Sequence, residues 1–523
     1  MKTKLTNSML DVVNSNTMLK RYLNSLLEGK AATPRSWLFE DTSPDVVLDQ
    51  WLQQLNYLKD GSEFERNVFQ FDTSQIEKWG PQGAVAPIRD LMEIVEQGFG
   101  DSPVPKAFST KAWSNAKNQV RRLLTQDLGI RNLRPASYQH VVDDMRARDT
   151  LESNSGWPDF RRRSIPEVKA AAVRDAENGS WRDFPAIALF RNYNQKTRLV
   201  WMFPMSANLV EGSYYQPLQS ALIKAGITFF CPWKGFDEVR RVITEAYDAG
   251  KFVAASDFSS TDAHFTRFST LEVYDVIKDC FQARYRDGLK ETLLHMHSIP
   301  LVIGPDQLET GWHGVSSGSN WTNFIETVFD LITAVYAFSK PAGVGYSGLY
   351  AIGDDMSWVG NAYNEKFADA LEHVGKDVGQ VIKAEKTTND RDKVKSLQRL
   401  FQRGYSRPDG QIRGVYSTIR ALKSSVYPER FHKPKDWSSD MFCARQYMIL
   451  ENCVDHPLFQ EFVKFVVFGN RHLIPFALKS AQDLTRITRE TKLLPGLNPT
   501  YNQERRDSSL AQFQSIQVAK SLA

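Results

Sequence analysis

Cysteine is scarce: Cys231, Cys280, Cys443 and Cys453 are the only four in 523 residues. Thiols so few and so scattered exclude a disulfide framework and fit a reducing compartment. No apolar run is long enough to span a bilayer, because the nearest approach, Trp321 to Ser339, is broken by Glu326 and Asp330. That stretch reads instead as an amphipathic helix within a protein core. An apolar leader is also missing: Met1-Lys-Thr-Lys is basic, but Leu5 to Asn16 is too polar for a signal-peptide core. The chain is therefore expected to stay in the compartment where it is made. Nor does one sign of charge dominate, since 65 basic and 61 acidic residues leave +4, which alone implies no nucleic-acid partner. Internal repeats and low-complexity linkers are absent, so the chain is read as one interleaved, multi-lobed body.

What is present is an ordinary globular composition, with 42% hydrophobic residues, enough to bury a large core and to exclude a mainly disordered chain. Basic residues cluster twice. Seven lie between Lys106 and Arg134 against Asp127 alone, and nine from Arg391 to Lys423 against Asp392 and Asp409, with Phe401, Tyr405 and Tyr416 interleaved. Two readings stay open: walls of a nucleic-acid channel, or solvated helix faces. The chain to about Leu58 and the last hundred residues are rich in helix formers. Phe184 to Pro204 alternates as strands do, while Leu271 to Arg286 and Thr322 to Phe338 carry helical periodicity.

Three elements carry chemistry. Phe252-Val-Ala-Ala-Ser is a short apolar, strand-like run that delivers Asp257 at its end, with Asp262 five residues on at the start of a helical pattern. A carboxylate at a strand end can collect a divalent cation while the second faces a bound substrate. Gly353-Asp354-Asp355 lies between two apolar runs, the pattern of a buried hairpin with adjacent carboxylates at its tip, or of an ordinary exposed turn. If the tip is enclosed, a metal ion resolves the cost of burying two acids. Ser317-Gly318-Ser-Asn-Trp-Thr322 is a loop opening a helix, whose free N–H groups suit an anionic or polar ligand, or serve as a plain helix cap.

Two other chemistries are weighed. Gly314-Val-Ser316-Ser-Gly318 matches the serine-hydrolase elbow, but a polar loop precedes it where a strand is required. Cys443, Cys453 and His456 lack zinc-site spacing, and His295-Met-His297 stands without partners, so both are read as structural.

Taken in order, DFSSTD, SGSNWTNFIET and AIGDD resemble motifs A, B and C of viral RNA-dependent RNA polymerases, closest to the picobirnavirus and partitivirus group of double-stranded RNA viruses. Ser317 follows Asp257 by 60 residues, and Asp354 follows Ser317 by 37. Upstream, Ser155-Gly156-Trp-Pro158 with Arg161-Arg-Arg163 is similar to the template-guiding motif G, and Gln195-Lys196-Thr-Arg198 to motif F, whose basic groups hold the triphosphate. Downstream, Lys383-Ala-Glu-Lys386-Thr is similar to motif D, with Lys386 at the matching place. The stretch from Phe401 to Tyr416, with Arg403, Tyr405 and the turn Asp409-Gly410, resembles motif E. Glu326 stands where many plus-strand enzymes carry asparagine. An acid there is a mark of the picobirnavirus and partitivirus group, and it assigns ribose discrimination to Asp262, Ser317 and Thr322. Glu326 itself either contacts ribose or positions Asp262.

The resemblance implies an α+β right-hand polymerase with an antiparallel-sheet palm and largely helical fingers and thumb. Residues 1–70 would bridge fingers and thumb; 71–214 and 283–309 would be fingers, 215–282 and 310–420 palm, and 421–523 thumb. Asp257, Asp354 and Asp355 would hold two magnesium ions, manganese being the alternative, for nucleotidyl transfer from NTPs to an RNA 3'-hydroxyl, with Lys386 as proton donor. Lys196, Arg198, Asp262, Ser317, Gly318, Thr322 and Glu326 would meet the nucleotide, and Ser155, Gly156, Pro158, Arg403 and Tyr405 the RNA. The implied partners are RNA template and product, NTPs and a viral capsid protein. The chain would be a monomer with no membrane partner, in the virion interior and the host cytoplasm. A reverse transcriptase and a non-catalytic RNA-packaging protein are the alternatives; Asp262, in a place where reverse transcriptases carry a bulky residue, favours RNA synthesis.

Overall fold

The computed structural model describes residues 1–340, 343–430, 433–497 and 508–523. The chain folds into two compact units, one from Met1–Gly29, Ala86–Phe190 and Leu199–Ser396, the other from Lys30–Val85, Arg191–Arg198 and Leu397–Ala523. Helices and strands are mixed, with helices dominating near both ends of the chain, as an α+β class requires.

The first unit is organised by a four-stranded antiparallel sheet in the order Tyr346–Ile352, Asp355–Gly360, Phe252–Asp257, Thr388–Asn389. Val253 to Ser256 are all buried, so this strand reads as a continuous small, apolar run, covered on both faces. The helix Trp321–Ser339 packs on the sheet, and Trp113, Phe265, Phe324, Phe329 and Trp358 fill the core between the elements. Each such ring contributes about 1.5–3 kcal/mol by leaving water. The buried indoles keep polar partners, Trp321 Nε1 donating to Thr292 Oγ1 at 2.6 Å and Trp358 Nε1 to Ser256 Oγ at 3.1 Å.

A second, mixed sheet joins two strands that the sequence led one to expect to three short ones that it did not. Lys2–Lys4 runs antiparallel to Gln307–Glu309, which pairs with Leu301–Val302, itself parallel to Ala186–Ile187. Strands of two and three residues are too short for alternation to register. The strands Ala186–Tyr193 and Lys196–Met202 are the alternating stretch read between Phe184 and Pro204. Asn194 and Gln195 join them with φ of 54° and 61°, the two left-handed residues of a tight hairpin turn. Leu271 to Arg286, expected as helical throughout, is not: the helix Arg267–Ile277 ends, and two single turns precede the helix Arg286–His295. Arg286 Nε bonds Lys278 O at 3.0 Å and Phe281 O at 3.3 Å, satisfying carbonyls that a continuous helix would have used itself.

In the second unit the helices Pro44–Leu55, Glu63–Thr73, Thr418–Val426, Ser439–Glu451 and Phe459–Val467 enclose Trp51, Phe442, Tyr447 and Phe462. Their starts follow local signals, including a capping box from Ser62 to Glu65 and hydroxyl caps at Ser417 and Ser438. Asp72 is wholly buried against the start of Thr418–Val426. It accepts from Ser417 Oγ and Thr418 Oγ1, both at 2.6 Å, from the backbone N–H groups of Thr418 at 3.2 Å and Ile419 at 3.0 Å, and from His456 Nε2 at 2.8 Å.

Much of both basic tracts is spent inside the units. Lys117 pairs with Asp275 at 3.0 Å, and Arg121 with Asp275 at 2.9 Å and Asp279 at 3.2 Å. Arg399 is buried and donates to Asn452 O at 2.8 Å, and Arg407 grips Asp455 with two bonds of 2.7 and 2.9 Å. These side chains are held by ion pairs and hydrogen bonds within their own units. No described helix is long and apolar enough to cross a membrane.

Candidate active site

The sheet brings the expected acids together. Asp257 ends its strand directly opposite Asp355, and Ile352 opposite Asp355 closes the hairpin around Gly353-Asp354. Facing positions on neighbouring antiparallel strands lie about 4.5–5.5 Å apart at Cα, so like charges placed there repel. The turn requires Gly353, whose φ is +58°. It is pinned from below, Gly353 N–H donating to Thr327 Oγ1 at 2.9 Å, while a Cβ on Gly353 would meet Asn323 Nδ2 at 3.0 Å. The helix Trp321–Ser339 therefore underlies the hairpin tip.

That helix adds two acids. Glu326 and Asp330, one turn apart, are 6% and 1% exposed, and Glu326 Oε1 and both Asp330 oxygens have no hydrogen-bond partner. Burial, then the charges of Asp262, Asp354 and Asp330, pushes the Glu326 carboxyl well above its ordinary range. Burial followed by Asp354 and Asp355 does the same to Asp330. Asp355 is pushed up to about 8 by burial and by its neighbours Asp354 and Asp257. Among the described residues no three acids, histidines or cysteines are already drawn into a metal cage. Even so, orphaned buried carboxylate oxygens and mutually repelling acids, all of them hard oxygen donors, are the set that a divalent cation complements.

Other motif residues lie in the same unit. Ser260 sits in the left-handed region at φ 52°, turning the chain so that Asp262 is exposed on the single-turn helix Thr261–His264. Ser317 is exposed, and its Oγ accepts from Trp201 N–H at 3.2 Å. Gly318 is obligatory, because a Cβ there would lie 1.6 Å from Trp201 O. Thr322 donates from Oγ1 to Ser316 O at 2.6 Å, so its hydroxyl hydrogen is already used. Lys386 is exposed on the single turn Ala384–Lys386. Ser155 and Gly156 are buried and Pro158 half-buried; Ser155 O accepts from Met205 N–H at 2.9 Å and Pro158 O from Asn16 Nδ2 at 3.1 Å. The serine-hydrolase pattern is overturned: Ser316 is fully buried and donates to Met296 O at 2.8 Å, while exposed His373 bonds Asp369 O in its own helix.

The second unit holds the rest. Lys196 and Arg198 are exposed on the hairpin strand that follows the Asn194-Gln195 turn. Arg403 is half-buried. Tyr405 has one face stacked on Phe64, with ring centroids 3.5 Å apart, and its hydroxyl lies 3.4 Å from Ser62 Oγ, so only its other face can meet a base.

Sequence reasoning did not single out Thr327, which pins the hairpin turn, or Asp330, which adds a buried acid beneath it. The available signal was a polar residue inside an apolar helix, which costs free energy unless it is partnered. Thr327→Val is expected to lower stability by about 1–3 kcal/mol, because it orphans a buried N–H, whereas Thr327→Ser should cost less than about 1 kcal/mol. Urea unfolding midpoints of the two variants check this; equal midpoints would show that the pin is not made.

Comparison with known proteins gives a consistent picture. Residues 191–429 match the family model described as viral RNA-dependent RNA polymerase. A human picobirnavirus protein named as a potential RNA-dependent RNA polymerase is 26% identical over 479 residues, spanning 87% of this chain and 86% of that protein. The fold is that of the crystallised RNA-dependent RNA polymerase of a human picobirnavirus, similar over the whole of both chains at TM-score 0.81 and 22% identity. An insertion-loop deletion mutant of that enzyme is similar at TM-score 0.80, also at 22% identity.

Proposed function

We propose that this chain, whose residues 191–429 match the viral RNA-dependent RNA polymerase family model, copies an RNA template by transferring nucleotidyl groups from NTPs to an RNA 3'-hydroxyl. The observation that carries the reading is the register of Asp257 against Asp355, with Asp354 on the turn between. Asp257, Asp354 and Asp355 would hold two divalent cations, magnesium or manganese, which when bound supply charge neutralisation and Lewis acidity at the reacting phosphate. The chain's own groups do the rest. The 3'-oxygen forms a bond to the α-phosphorus, the bond from that phosphorus to the bridging oxygen of pyrophosphate breaks, and the hydroxyl proton passes to solvent. Lys386 donates a proton to the departing pyrophosphate, and Lys196 and Arg198 neutralise the triphosphate, Arg198 as a bidentate fork.

Asp262, Ser317 and Thr322 read the ribose, with Gly318 allowing the loop its close approach to Trp201. Burial of Glu326 beneath Gly353 favours positioning Asp262 and the turn over direct contact with ribose. Ser155, Gly156, Pro158, Arg403 and the free face of Tyr405 would guide RNA. In a right-hand reading, the four-stranded sheet is the palm, within 215–282 and 310–420, with fingers at 71–214 and 283–309, thumb at 421–523 and a bridging region at 1–70. A monomer acting in the virion interior and the host cytoplasm, with a capsid protein as neighbour, completes the proposal.

Incorporation of ribonucleotides and deoxyribonucleotides on a single-stranded RNA template, with magnesium or manganese, tests it. The expected result is template-dependent ribonucleotide incorporation, with Asp262→Ala narrowing the preference for ribose about tenfold or more, the loss of a charged hydrogen bond. Deoxyribonucleotide preference would point to a reverse transcriptase, and RNA binding without incorporation to a packaging protein.

A further inference from the structure

The loop from Ser317 to Asn320 is held from behind by a polar cluster that the proposed chemistry does not use. Glu211, in the helix Met205–Ala225, is 1% exposed. Its carboxylate accepts from Ser319 Oγ, from Asn320 N–H at 3.1 Å and from Asn208 Nδ2 at 2.9 Å. Asn208 grips the same loop twice more, donating from Nδ2 to Gly318 O at 3.2 Å and accepting at its backbone oxygen from Asn320 Nδ2 at 3.1 Å. The cluster extends the other way as well. Asn208 Oδ1 accepts from Arg163 Nη2 at 2.8 Å, Arg163 Nε donates to Asn154 O at 3.1 Å, and Asn154 Oδ1 accepts from Gly156 N–H at 2.7 Å. Hydrogen bonds thus run unbroken from the Ser155–Pro158 segment to the loop bearing Ser317 and Gly318.

The chemistry of the hub is specific. An ionised carboxylate accepts from all three partners at once, whereas an amide that keeps its oxygen on Asn208 and Asn320 turns its N–H₂ toward the Ser319 hydroxyl and reverses that bond. Burial pushes the Glu211 carboxyl up to about 7, against the pull of its hydrogen bonds and of Arg163. An acid set so deep costs free energy that a loop held only for packing would not require. The loop it holds is also the one whose Ser317 hydroxyl accepts from Trp201 N–H.

We propose that Glu211 is a positioning residue for nucleotide selection: it fixes the Ser317–Asn320 loop so that Ser317 meets the incoming ribose, and through Asn208 and Arg163 it couples that loop to the Ser155–Pro158 segment. This role rests on the polymerase reading. Glu211 touches neither substrate nor metal; it acts through the loop.

The test is steady-state incorporation on a single-stranded RNA template with ATP and dATP, comparing the intact full-length chain, Glu211→Gln and Ser319→Ala, with a thermal melt of each. Glu211→Gln is expected to raise the KM for ATP about tenfold, to leave kcat and the KM for dATP within about twofold, and so to narrow ribose preference. Ser319→Ala, which removes one of the three donors, should move the same ratio in the same direction by less. An unchanged KM ratio, or a parallel loss of kcat and of both substrates' binding that follows a lowered melting temperature, overturns the role. If Glu211→Gln does not fold, Ser319→Ala decides alone by the same ratio. Failure of the unaltered chain to incorporate either nucleotide overturns the polymerase reading itself, whereas incorporation with an unmoved ratio overturns this role only.

Discussion

Asp354→Ala is expected to reduce RNA synthesis by about 10³-fold or more while leaving the fold intact. The loss corresponds to about 4 kcal/mol of transition-state stabilisation, the scale on which a lost ligand to a charge-neutralising cation acts. The fold should survive because Asp354 is a turn residue that adds charge to an already repulsive cluster: it is one of the groups that raise Asp355, Glu326 and Asp330. Removing it relieves that repulsion, so the urea midpoint should stay level or rise. Asp354→Asn, which keeps the shape and loses the charge, should be nearly as inactive. Single-turnover incorporation with saturating magnesium is the measurement, and a rate within tenfold of the unaltered chain would remove Asp354 from the metal-binding set.

The largest effect on stability is expected at Asp72. Asp72→Ala strips the partner from Ser417, Thr418, Ile419 and His456 together, and also loosens Thr418 Oγ1, which accepts from Trp51 Nε1 at 2.8 Å. Removing one member of a buried charged network costs about 3–5 kcal/mol, a large share of the stability of an ordinary domain. Burial alone would push the Asp72 carboxyl up, but the bonds from His456, Ser417 and Thr418 outweigh it and leave the group below its ordinary value. An acid depressed in this way stabilises the fold above its unfolded pKa of about 3.9, and the contribution is lost as pH falls through the folded value. The gap between the unaltered chain and Asp72→Asn in urea should therefore be widest near neutrality and narrow in acid below that point. A gap of less than about 1 kcal/mol at pH 7 would mean the network is not formed.

The acids proposed to be catalytic were legible as neighbours because they sit where short-range pattern is strongest. Asp257 closes an apolar run, and Gly353 marks a turn between two more, so strand, turn and strand could be read without knowing what packs on them. Ser317 to Thr322 was legible as a loop opening a helix. Glu326 and Asp330 were visible only as interruptions of an apolar stretch. That they point beneath the hairpin tip depends on a contact between elements that no local pattern encodes. Ion pairs within the basic tracts were illegible for the same reason, since Lys117 finds Asp275 158 residues away and Arg407 finds Asp455 48 residues away. Glu211, a lone acid in a buried helix, declared its cost but not its partners, which come from a loop 108 residues downstream.

The orphaned oxygens of Glu326 and Asp330 also bear on mass action. A folded chain that carries uncompensated buried acids beside the proposed cation site, and an unfolded chain that solvates those acids freely, would differ in affinity for divalent ions, so the folding equilibrium would be linked to ion supply. At a free ion concentration about a hundred times the dissociation constant, that linkage adds about 2.7 kcal/mol to the folded state. Chelation would then act on the first unit as a mild denaturant, and the fraction of competent molecules in a cell would follow the concentration of free divalent cation as well as temperature.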